Sequence, residues 1–214
     1  MDKKDDIGPA DNCQHCDFRS VALEYPLSET DGFRVVCDVH PITAGHILII
    51  PKEHISCLGA YPDQLYREFL TLYRKFTSFI LQAYGSVSTF EHGKTGQTVF
   101  HSHIHVFPFT GPETEIIPEG KAYFKEITDI DGIRLFYRSL GAYLFFSIGD
   151  RKWLADISLG YPGFFRDRFA RALKHPEKGN WKEMQKNKPL MTEAEKDIRE
   201  IIAGYHKYSG SLSG

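Results

Sequence analysis

Three histidines alternate along one short stretch of the chain, residues 100–108. They are His101, His103 and His105. In a β-strand alternate side chains point to the same face, so we expect the three imidazoles to lie side by side, roughly 6.6 Å apart at the backbone. Such a row can converge on a phosphate, on a metal ion, or on one of each. Buried imidazoles need partners, which favours a functional reason for the row.

Two cysteines near the N-terminus have the spacing of a metal-binding or redox pair. Cys13 and Cys16 form a Cys-x-x-Cys motif. Two thiolates supply half of a tetrahedral zinc site, so a structural site needs two further ligands from elsewhere in the chain. A redox dithiol is an alternative, although no βαβ unit surrounds the pair, and so is a pair of inert thiols.

Polar residues beside the predicted strands form a second group of candidates. His46 precedes and His54 follows an aliphatic strand, and Asp38 stands at the end of another apolar strand. The glycine-containing loop before the histidine row includes Gln97 and Thr98, whose amide, hydroxyl and backbone N–H groups can bind an anion. Each of these residues alone is more often structural, so their combination with the histidine row makes them candidates.

The elements that must position these residues follow from hydrophobic patterning. Apolar residues at helical spacing, followed by Gly85, predict a helix over residues 62–84. Alternating or continuous apolar runs predict strands at residues 20–25, 33–39, 47–50, 87–91 and 100–108. Further along we predict a linker at 111–123, a β-hairpin with strands at 143–148 and 153–158, a helix at 162–174, and a last helix that opens at the Thr192 capping signal.

The composition is that of an ordinary globular protein. The 214-residue chain has a formal net charge of −2, so no basic field would recruit nucleic acid or an anionic membrane. No apolar run approaches the ~20 residues needed to cross a bilayer, and the charged N-terminus lacks a signal segment. We therefore expect a cytoplasmic protein with a flexible segment at residues 1–12, a catalytic domain at 13–110 and a C-terminal extension at 111–214.

Three motifs, in the same order, resemble those of the histidine triad (HIT) family. Residues 101–107 resemble the family signature, residues 45–55 its Gly-His-aliphatic-Ile-Pro-Lys-x-His-Ile strand, and residues 96–99 its phosphate loop. The resemblance implies an α+β fold with an antiparallel sheet of about five strands and packed helices. To this fold the C-terminal hairpin and helices would be added. It also implies a homodimer that hydrolyses or transfers nucleoside monophosphate groups.

By motif position, the resemblance implies a role for each candidate residue. The middle histidine, His103, would attack the α-phosphorus and carry the nucleotide covalently. His105 and His46 would position this nucleophile and the phosphate oxygens. The substrate-binding residues would be Gln97 and Thr98 for phosphate, Asp38 for the ribose hydroxyls, and Val36 and Val39 beside the nucleoside.

The resemblance also implies a structural zinc ion. In family members with an N-terminal Cys-x-x-Cys, both thiolates join the histidine after the Ile-Pro-Lys segment and the first triad histidine. The ligands here would be Cys13, Cys16, His54 and His101. Four nitrogen and sulfur ligands close a tetrahedron and leave no open position for substrate. A ligated His101 cannot then act as the nucleophile.

Two other functions remain open. All three triad histidines could ligate the catalytic metal of a hydrolase, although no carboxylate nearby in the sequence completes such a site. Alternatively, the protein could be a non-catalytic, zinc-stabilised module that binds a nucleotide or another protein. Two features depart from the family pattern: His92 stands where many members carry asparagine, and the extension exceeds the minimal domain. The resemblance therefore does not identify the nucleobase, the leaving group or the acceptor.

Overall fold

Eight strands form the framework of the protein in a computed structural model that describes residues 13–211. The strands are β1 (Pro26–Glu29), β2 (Phe33–Cys37), β3 (Ile47–Pro51), β4 (Ser88–Glu91), β5 (Ile104–Phe107), β6 (Phe124–Ile127), β7 (Leu144–Ile148) and β8 (Arg151–Ala155). They form one sheet in the order β1-β2-β3-β5-β4-β7-β8-β6, and every neighbouring pair is antiparallel. The predicted flexible segment at residues 1–12 lies outside the described residues.

Six α-helices lie within the described part of the chain. They are α1 (Asp63–Tyr84), α2 (Glu113–Ile116), α3 (Asp131–Leu140), α4 (Phe164–Ala172), α5 (Trp181–Met184) and α6 (Lys188–Ser211). The predicted long helix is confirmed as α1, which ends at Gly85 in the left-handed conformation that glycine adopts without strain. No helix among residues 13–211 is long and apolar enough to cross a membrane.

The centre of the sheet carries the histidine row. Strand β3 is buried along its whole length, as its uninterrupted aliphatic sequence predicts. In the sheet, His105 on β5 is paired with Leu48 on β3 and with Phe90 on β4. Because side chains alternate along β5, Ile104 and Val106 face one side of the sheet and His105 faces the other.

Two apolar cores cover the two faces of the sheet. On one face α1 and α6 pack together, with the ring of Phe76 stacked on that of Tyr205 at 5.2 Å between centroids. On the face that carries His105, α4 contributes Phe165 and Phe169 to a core that also includes Phe90. The helix that covers the histidine face therefore comes from the C-terminal part of the chain.

The α+β class is confirmed, but the sheet has eight strands instead of the predicted number of about five. The predicted hairpin exists as β7 and β8, but β7 pairs with β4 and so continues the same sheet. Strand β6, which the sequence patterning missed, then pairs with β8. The boundary predicted near residue 110 thus falls inside one continuous sheet and core, because the outer edge of β4 is paired rather than exposed.

Three local predictions also differ from the structure. Residues 20–25 contain a 3₁₀ turn at Val21–Leu23, and β1 occupies part of the stretch predicted as a turn. The histidine row is strand only from Ile104 onward, because the N–H of Ser102 bonds instead to the carbonyl of Ile55 at 2.7 Å. The last helix begins at Lys188, so Thr192 lies inside it and its hydroxyl donates to the Lys188 carbonyl.

Candidate active site

A pocket of about 480 Å³ opens on the histidine face of the sheet. Its floor includes Leu48, His103 and His105 from the sheet region, and one side is formed by the segment after Cys13. The other side comes from the C-terminal part of the chain, with Gly163, Arg166, Trp181, Gln185 and Met191. The pocket is therefore built from three separate stretches of sequence.

Six imidazole rings form a continuous line, of which His15, His103 and His105 line this pocket. From one end to the other, the neighbouring ring centroids are 4.9 to 5.5 Å apart. The order in space is His54, His101, His15, His103, His105 and His46. The predicted row is thus interrupted by His15, which lies between the first two triad histidines. Because of this order, His101 lies beside His54 at one end of the line, and it is separated by His15 from His103 and His105.

Backbone contacts fix the proton position on His103. Its Nδ1 lies 2.7 Å from the carbonyl oxygen of His101, and a carbonyl can only accept. The proton of the neutral ring therefore sits on Nδ1, and the lone pair is left on Nε2. His103 lines the pocket and does not belong to either group of potential metal ligands among the described residues.

A backbone contact also fixes the proton position on His46, and His46 in turn fixes it on His105. The backbone N–H of Ile42 donates to Nδ1 of His46 at 3.2 Å, so the proton of His46 sits on Nε2. That Nε2 lies 2.8 Å from Nδ1 of His105 and donates to it. The proton of His105 is therefore on its own Nε2, from which it can donate to a substrate oxygen.

Burial keeps these rings neutral at physiological pH. Removal from water lowers the pKa of His46 to about 4, because the cationic form loses its hydration. Burial also lowers the pKa of His103, and it lowers that of His105 well below the ordinary value. Neutral imidazoles supply lone pairs and N–H donors, which is what a nucleophile and its neighbours require.

Four predicted metal ligands come together at one end of the line. The ligand atoms of Cys13, Cys16, His54 and His101 all lie within 4.8 Å of one another. Nδ1 of His101 lies 3.5 Å from one thiol and 3.4 Å from the other, while its Nε2 donates to the carbonyl of Pro51 at 2.8 Å. This second contact directs the Nδ1 lone pair at the thiols, as is usual for metal-binding histidines.

The triad histidines do not share a single metal site. Within residues 13–211, a second group of potential ligands consists of Asp38, His46 and His105. Its histidines already use the facing nitrogens on each other, and His46 also accepts the Ile42 N–H. The geometry therefore does not gather His101, His103 and His105 around one ion, as the catalytic-metal alternative requires.

Asp38 is buried at the far end of the line, and it is paired with an arginine from α4. Its Oδ2 accepts from Nη1 of Arg166 at 2.9 Å, and its Oδ1 accepts from the backbone N–H of His40 at 2.9 Å. Burial alone would raise the pKa of Asp38, but the adjacent guanidinium holds it below its ordinary value. The residue predicted to hold the ribose therefore already has a partner for each oxygen.

The two predicted phosphate-loop residues lie in different surroundings. Thr98 is exposed at the pocket, where its hydroxyl accepts from Nε1 of Trp181 at 3.4 Å. Gln97 is buried and its amide donates to the Ser56 carbonyl at 2.6 Å, so it does not line the pocket. Gly96 holds the loop close to the C-terminal segment, since a Cβ there would lie 2.5 Å from the Tyr161 carbonyl oxygen.

The two valines predicted to lie beside the nucleoside are also found in different places. Val39 lines the pocket, whereas Val36 lies behind it in a small core cluster with Leu48 and Ile50. His92 accepts the backbone N–H of Phe165 at 3.1 Å through its Nε2. This contact satisfies an N–H in the first turn of α4, which has no partner within the helix.

Sequence reasoning missed three residues of the pocket. His15 could have been noticed, because it lies between the two cysteines of the predicted metal motif. Arg166 and Trp181 gave no local signal, since an arginine in an amphipathic helix and a tryptophan in a polar stretch are ordinary surface features. Only the folded chain brings Arg166 to Asp38, from which it is 128 residues distant in sequence.

Comparisons with known proteins point to one family. The model of the HIT domain family matches residues 24–111. The chain is 31% identical over 104 residues to an uncharacterized HIT-like protein of Borreliella burgdorferi, a match that spans 45% of this chain and 75% of that protein.

Two similar proteins carry names that describe an activity. Adenylylsulfatase HINT3 of Arabidopsis thaliana is 33% identical over 86 residues, which span 38% of this chain and 44% of that protein. Adenosine 5'-monophosphoramidase HNT1 of Candida albicans is 27% identical over 131 residues, spanning 54% of this chain and 80% of that protein.

Proposed function

This chain belongs to the HIT domain family, and on that premise we propose that it is a nucleotide hydrolase or nucleotidyltransferase that acts through His103. The observation that carries the proposal is the His103 ring itself. It is buried in the pocket and lies outside both candidate metal clusters, and its proton is held on Nδ1 by the His101 carbonyl. Its Nε2 lone pair is thus available for attack on phosphorus.

The first step forms a bond between Nε2 of His103 and the α-phosphorus of the substrate. The leaving group departs with the electron pair of its bond to phosphorus, and the ring becomes a cationic nucleotidyl-imidazolium. The Nδ1–H of this ring then donates to the His101 carbonyl more strongly, because the donor is charged. Splitting one displacement into two easier ones is the advantage of a covalent intermediate.

In the second step a water molecule, or another acceptor, attacks the phosphorus. The bond from phosphorus to Nε2 breaks, its electron pair returns to the ring, and the attacking water releases a proton to the solvent. His105 supports both steps, since its Nε2–H can donate to a phosphate oxygen whose charge grows in the transition state. Phosphoryl-type transfer depends mainly on this kind of positioning and electrostatic stabilisation.

A zinc ion bound by Cys13, Cys16, His54 and His101 fits the proposal. The donors are two thiols and two imidazole nitrogens in a cluster of suitable size, the set that zinc prefers in structural sites. Such an ion would supply structural cross-linking and no open coordination position. It would hold the segment after Cys13, including His15, against the His103 ring.

Turnover under chelation tests the proposal against the catalytic-metal alternative. The full chain is incubated with adenosine 5'-phosphoramidate and with diadenosine tetraphosphate, in the presence of EDTA and with zinc content measured in parallel. We expect EDTA to remove only loosely bound metal. AMP should be released from at least one substrate at the same rate with EDTA as without it. His103→Ala should abolish this release.

The control variant is His206→Ala, which removes an exposed histidine on α6 that lies outside the pocket. It should keep full activity. Rates that fall to zero on chelation without loss of the structural zinc would instead favour a catalytic metal. Failure to release AMP from either substrate, or from a wider panel of nucleotides, would favour the non-catalytic binding module.

A further inference from the structure

Helix α4, in the C-terminal half of the chain, brings one permanent cation into the pocket. Arg166 is 5% exposed, so its guanidinium lies below the protein surface rather than in bulk water. Among the described residues that line the pocket, Arg166 is the one side chain with a permanent positive charge, and Asp38 is the one carboxylate.

The position of Arg166 is fixed by two contacts at the N-terminal end of α4. The backbone N–H of Gly163, just before the helix, donates to the carbonyl of Gly96 in the phosphate loop at 2.9 Å. In the first turn, the N–H of Phe165 donates to His92. The helix is therefore bonded to the loop and to the end of β4, and the side chain it carries is preorganised for binding.

Arg166 offers more hydrogen-bond donors than the protein uses. A guanidinium has five N–H groups. Nη1 donates to Asp38 and Nη2 donates to the His40 carbonyl, while Nε is buried and has no partner among the described residues. Because Arg166 lines the pocket, the second N–H of Nη1 and the second N–H of Nη2 can donate to an acceptor that arrives with a ligand.

At Asp38, by contrast, each carboxylate oxygen already accepts a hydrogen bond from the protein. This end of the pocket therefore offers free donors more than free acceptors. A group with several acceptor oxygens and a negative charge matches it better than a pair of hydroxyls does. Phosphate has this chemistry, and arginine is well suited to bind it because its donors lie in one plane.

We infer that Arg166 is a specificity-determining residue, which binds a second phosphate group of the nucleotide in addition to the one at the α-position. This inference rests on the proposed function. The second phosphate can belong to the leaving group, as in a nucleoside polyphosphate, or it can be attached to the ribose. In both cases the preferred substrates carry at least two phosphates, and a simple phosphoramidate of AMP is a poorer substrate.

Binding of three nucleotides to the zinc-containing full chain tests the inference. The probes, measured by titration calorimetry, are AMP, α,β-methylene-ADP and adenosine 3',5'-bisphosphate, none of which loses its α-phosphate to His103. We expect at least one of the two-phosphate probes to bind roughly tenfold tighter than AMP, or more, because charge-assisted hydrogen bonds are added. Which of the two gains affinity identifies the position of the second phosphate.

Variants of Arg166 test whether this residue is the cause of the higher affinity for the two-phosphate probe. Arg166→Met should reduce the affinity ratio between the favoured probe and AMP to about one, whereas Arg166→Lys should retain part of it. Because Arg166→Met leaves Asp38 buried without its cation and can destabilise the fold, the double variant Asp38→Asn with Arg166→Met serves as a second test. It should bind AMP without preferring either two-phosphate probe.

The matched control is Arg171→Met, on the same helix but exposed and paired with Asp167. It should leave all three affinities unchanged. Equal binding of the three probes to the unaltered protein would overturn the inference while AMP binding and turnover still support the proposed function. An equal loss of affinity for all three probes in Arg166→Met would also overturn it, since the residue would then be structural. Absence of binding by every probe would contradict the proposed function as well.

Discussion

At the scale of single residues, the chemistry depends on which nitrogen of each ring carries the proton. Partners that can only accept or only donate settle this for two rings: the His101 carbonyl for His103, and the Ile42 N–H for His46. Nε2 of His46 donates to Nδ1 of His105 at 2.8 Å, and this contact places the proton of His105 on its Nε2. In the proposed mechanism His46 is thus a positioning residue, since it would act on the substrate through its neighbour.

Replacing His46 tests this relay. In His46→Ala, Nδ1 of His105 loses its donor, so the proton on its Nε2 is no longer fixed and the phosphate oxygen loses a reliable donor. We expect kcat to fall by roughly tenfold to a hundredfold with little change in KM, since the lost contact strengthens in the transition state. Steady-state kinetics on the best nucleotide substrate provide the measurement.

His46→Gln is the matched variant, because its amide can still donate to His105. It should recover part of the lost kcat. If both variants lose the same activity, or if KM alone rises, His46 contributes packing rather than orientation.

At the scale of elements, the candidate zinc site connects three segments that are far apart in sequence. It joins the segment that carries Cys13, the loop after β3 that carries His54, and the residues just before β5. A metal ion there would fix the approach of His15 to the His103 ring, which are 4.9 Å apart between centroids. Metal binding at such a site contributes directly to the free energy of folding.

Removing one thiol should therefore remove the metal and lower stability. We expect Cys13→Ser to reduce bound zinc from about one ion per chain to nearly none and to lower Tm by roughly 5 °C or more. Elemental analysis and calorimetry measure the two quantities.

Cys57→Ala is the control, because burial raises the pKa of that thiol to about 12 and it lies outside the cluster. Its zinc content should stay at one ion per chain. Unchanged zinc content in Cys13→Ser would contradict the assignment of this site.

A buried carboxyl joins several other elements behind the active site. Glu91, at the end of β4, accepts from the Ser102 hydroxyl at 2.6 Å, from the Leu58 N–H at 3.0 Å and from the Tyr143 hydroxyl. Burial raises the pKa of Glu91 to about 7, since desolvation of the anion outweighs these three donors. The carboxyl is thus easier to protonate in the folded protein than in the unfolded chain.

Glu91 should therefore make stability depend on pH. Its contribution is fully present below the unfolded pKa of about 4.5 and is lost as the pH rises to about 7. Relative to Glu91→Gln, the unaltered protein should lose up to about 1.4 kcal/mol of unfolding free energy per pH unit in this window. Urea unfolding at several pH values measures the difference, in which the shared effects of histidine protonation cancel. Parallel stability curves for the two proteins would contradict the raised pKa.

At the scale of the whole molecule, the strand that carries His105 and the C-terminal segment belong to one sheet. β7 pairs with β4, and α4 covers Phe90 and Phe107 on the histidine face. Without the C-terminal half, the β4 edge would be unpaired and these aromatic rings would be exposed to solvent. Exposed strand edges and large apolar patches promote aggregation.

A fragment of residues 1–110 should therefore fail to fold on its own. We expect it to be insoluble, or to lack the cooperative thermal transition and the near-ultraviolet circular dichroism of the full chain. The transition and the spectrum are measured for both proteins at equal concentration. A fragment that unfolds cooperatively and binds zinc would show that residues 13–110 are an independent domain.

The sequence predicted what is encoded by local spacing. The buried β3 strand, α1, and the hairpin of β7 and β8 follow from short-range patterns, whereas the convergence of Cys13 with His101 was implied only by the family resemblance. The continuation of the sheet through β4 and β7 did not, because pairing partners depend on long-range register. The same applies to Arg166, whose amphipathic helix gave no indication that one side chain reaches Asp38.

The most direct test of the account is to identify the residue that carries the nucleotide. The protein is mixed with an excess of the best substrate, quenched within the first turnovers without acid, and digested for mass spectrometry, with His103→Ala treated in parallel. We predict one nucleotidyl group on His103 and none in the variant, which should keep its zinc and its melting temperature. A nucleotidyl group on another residue, or normal turnover by the His103→Ala protein, would contradict the account.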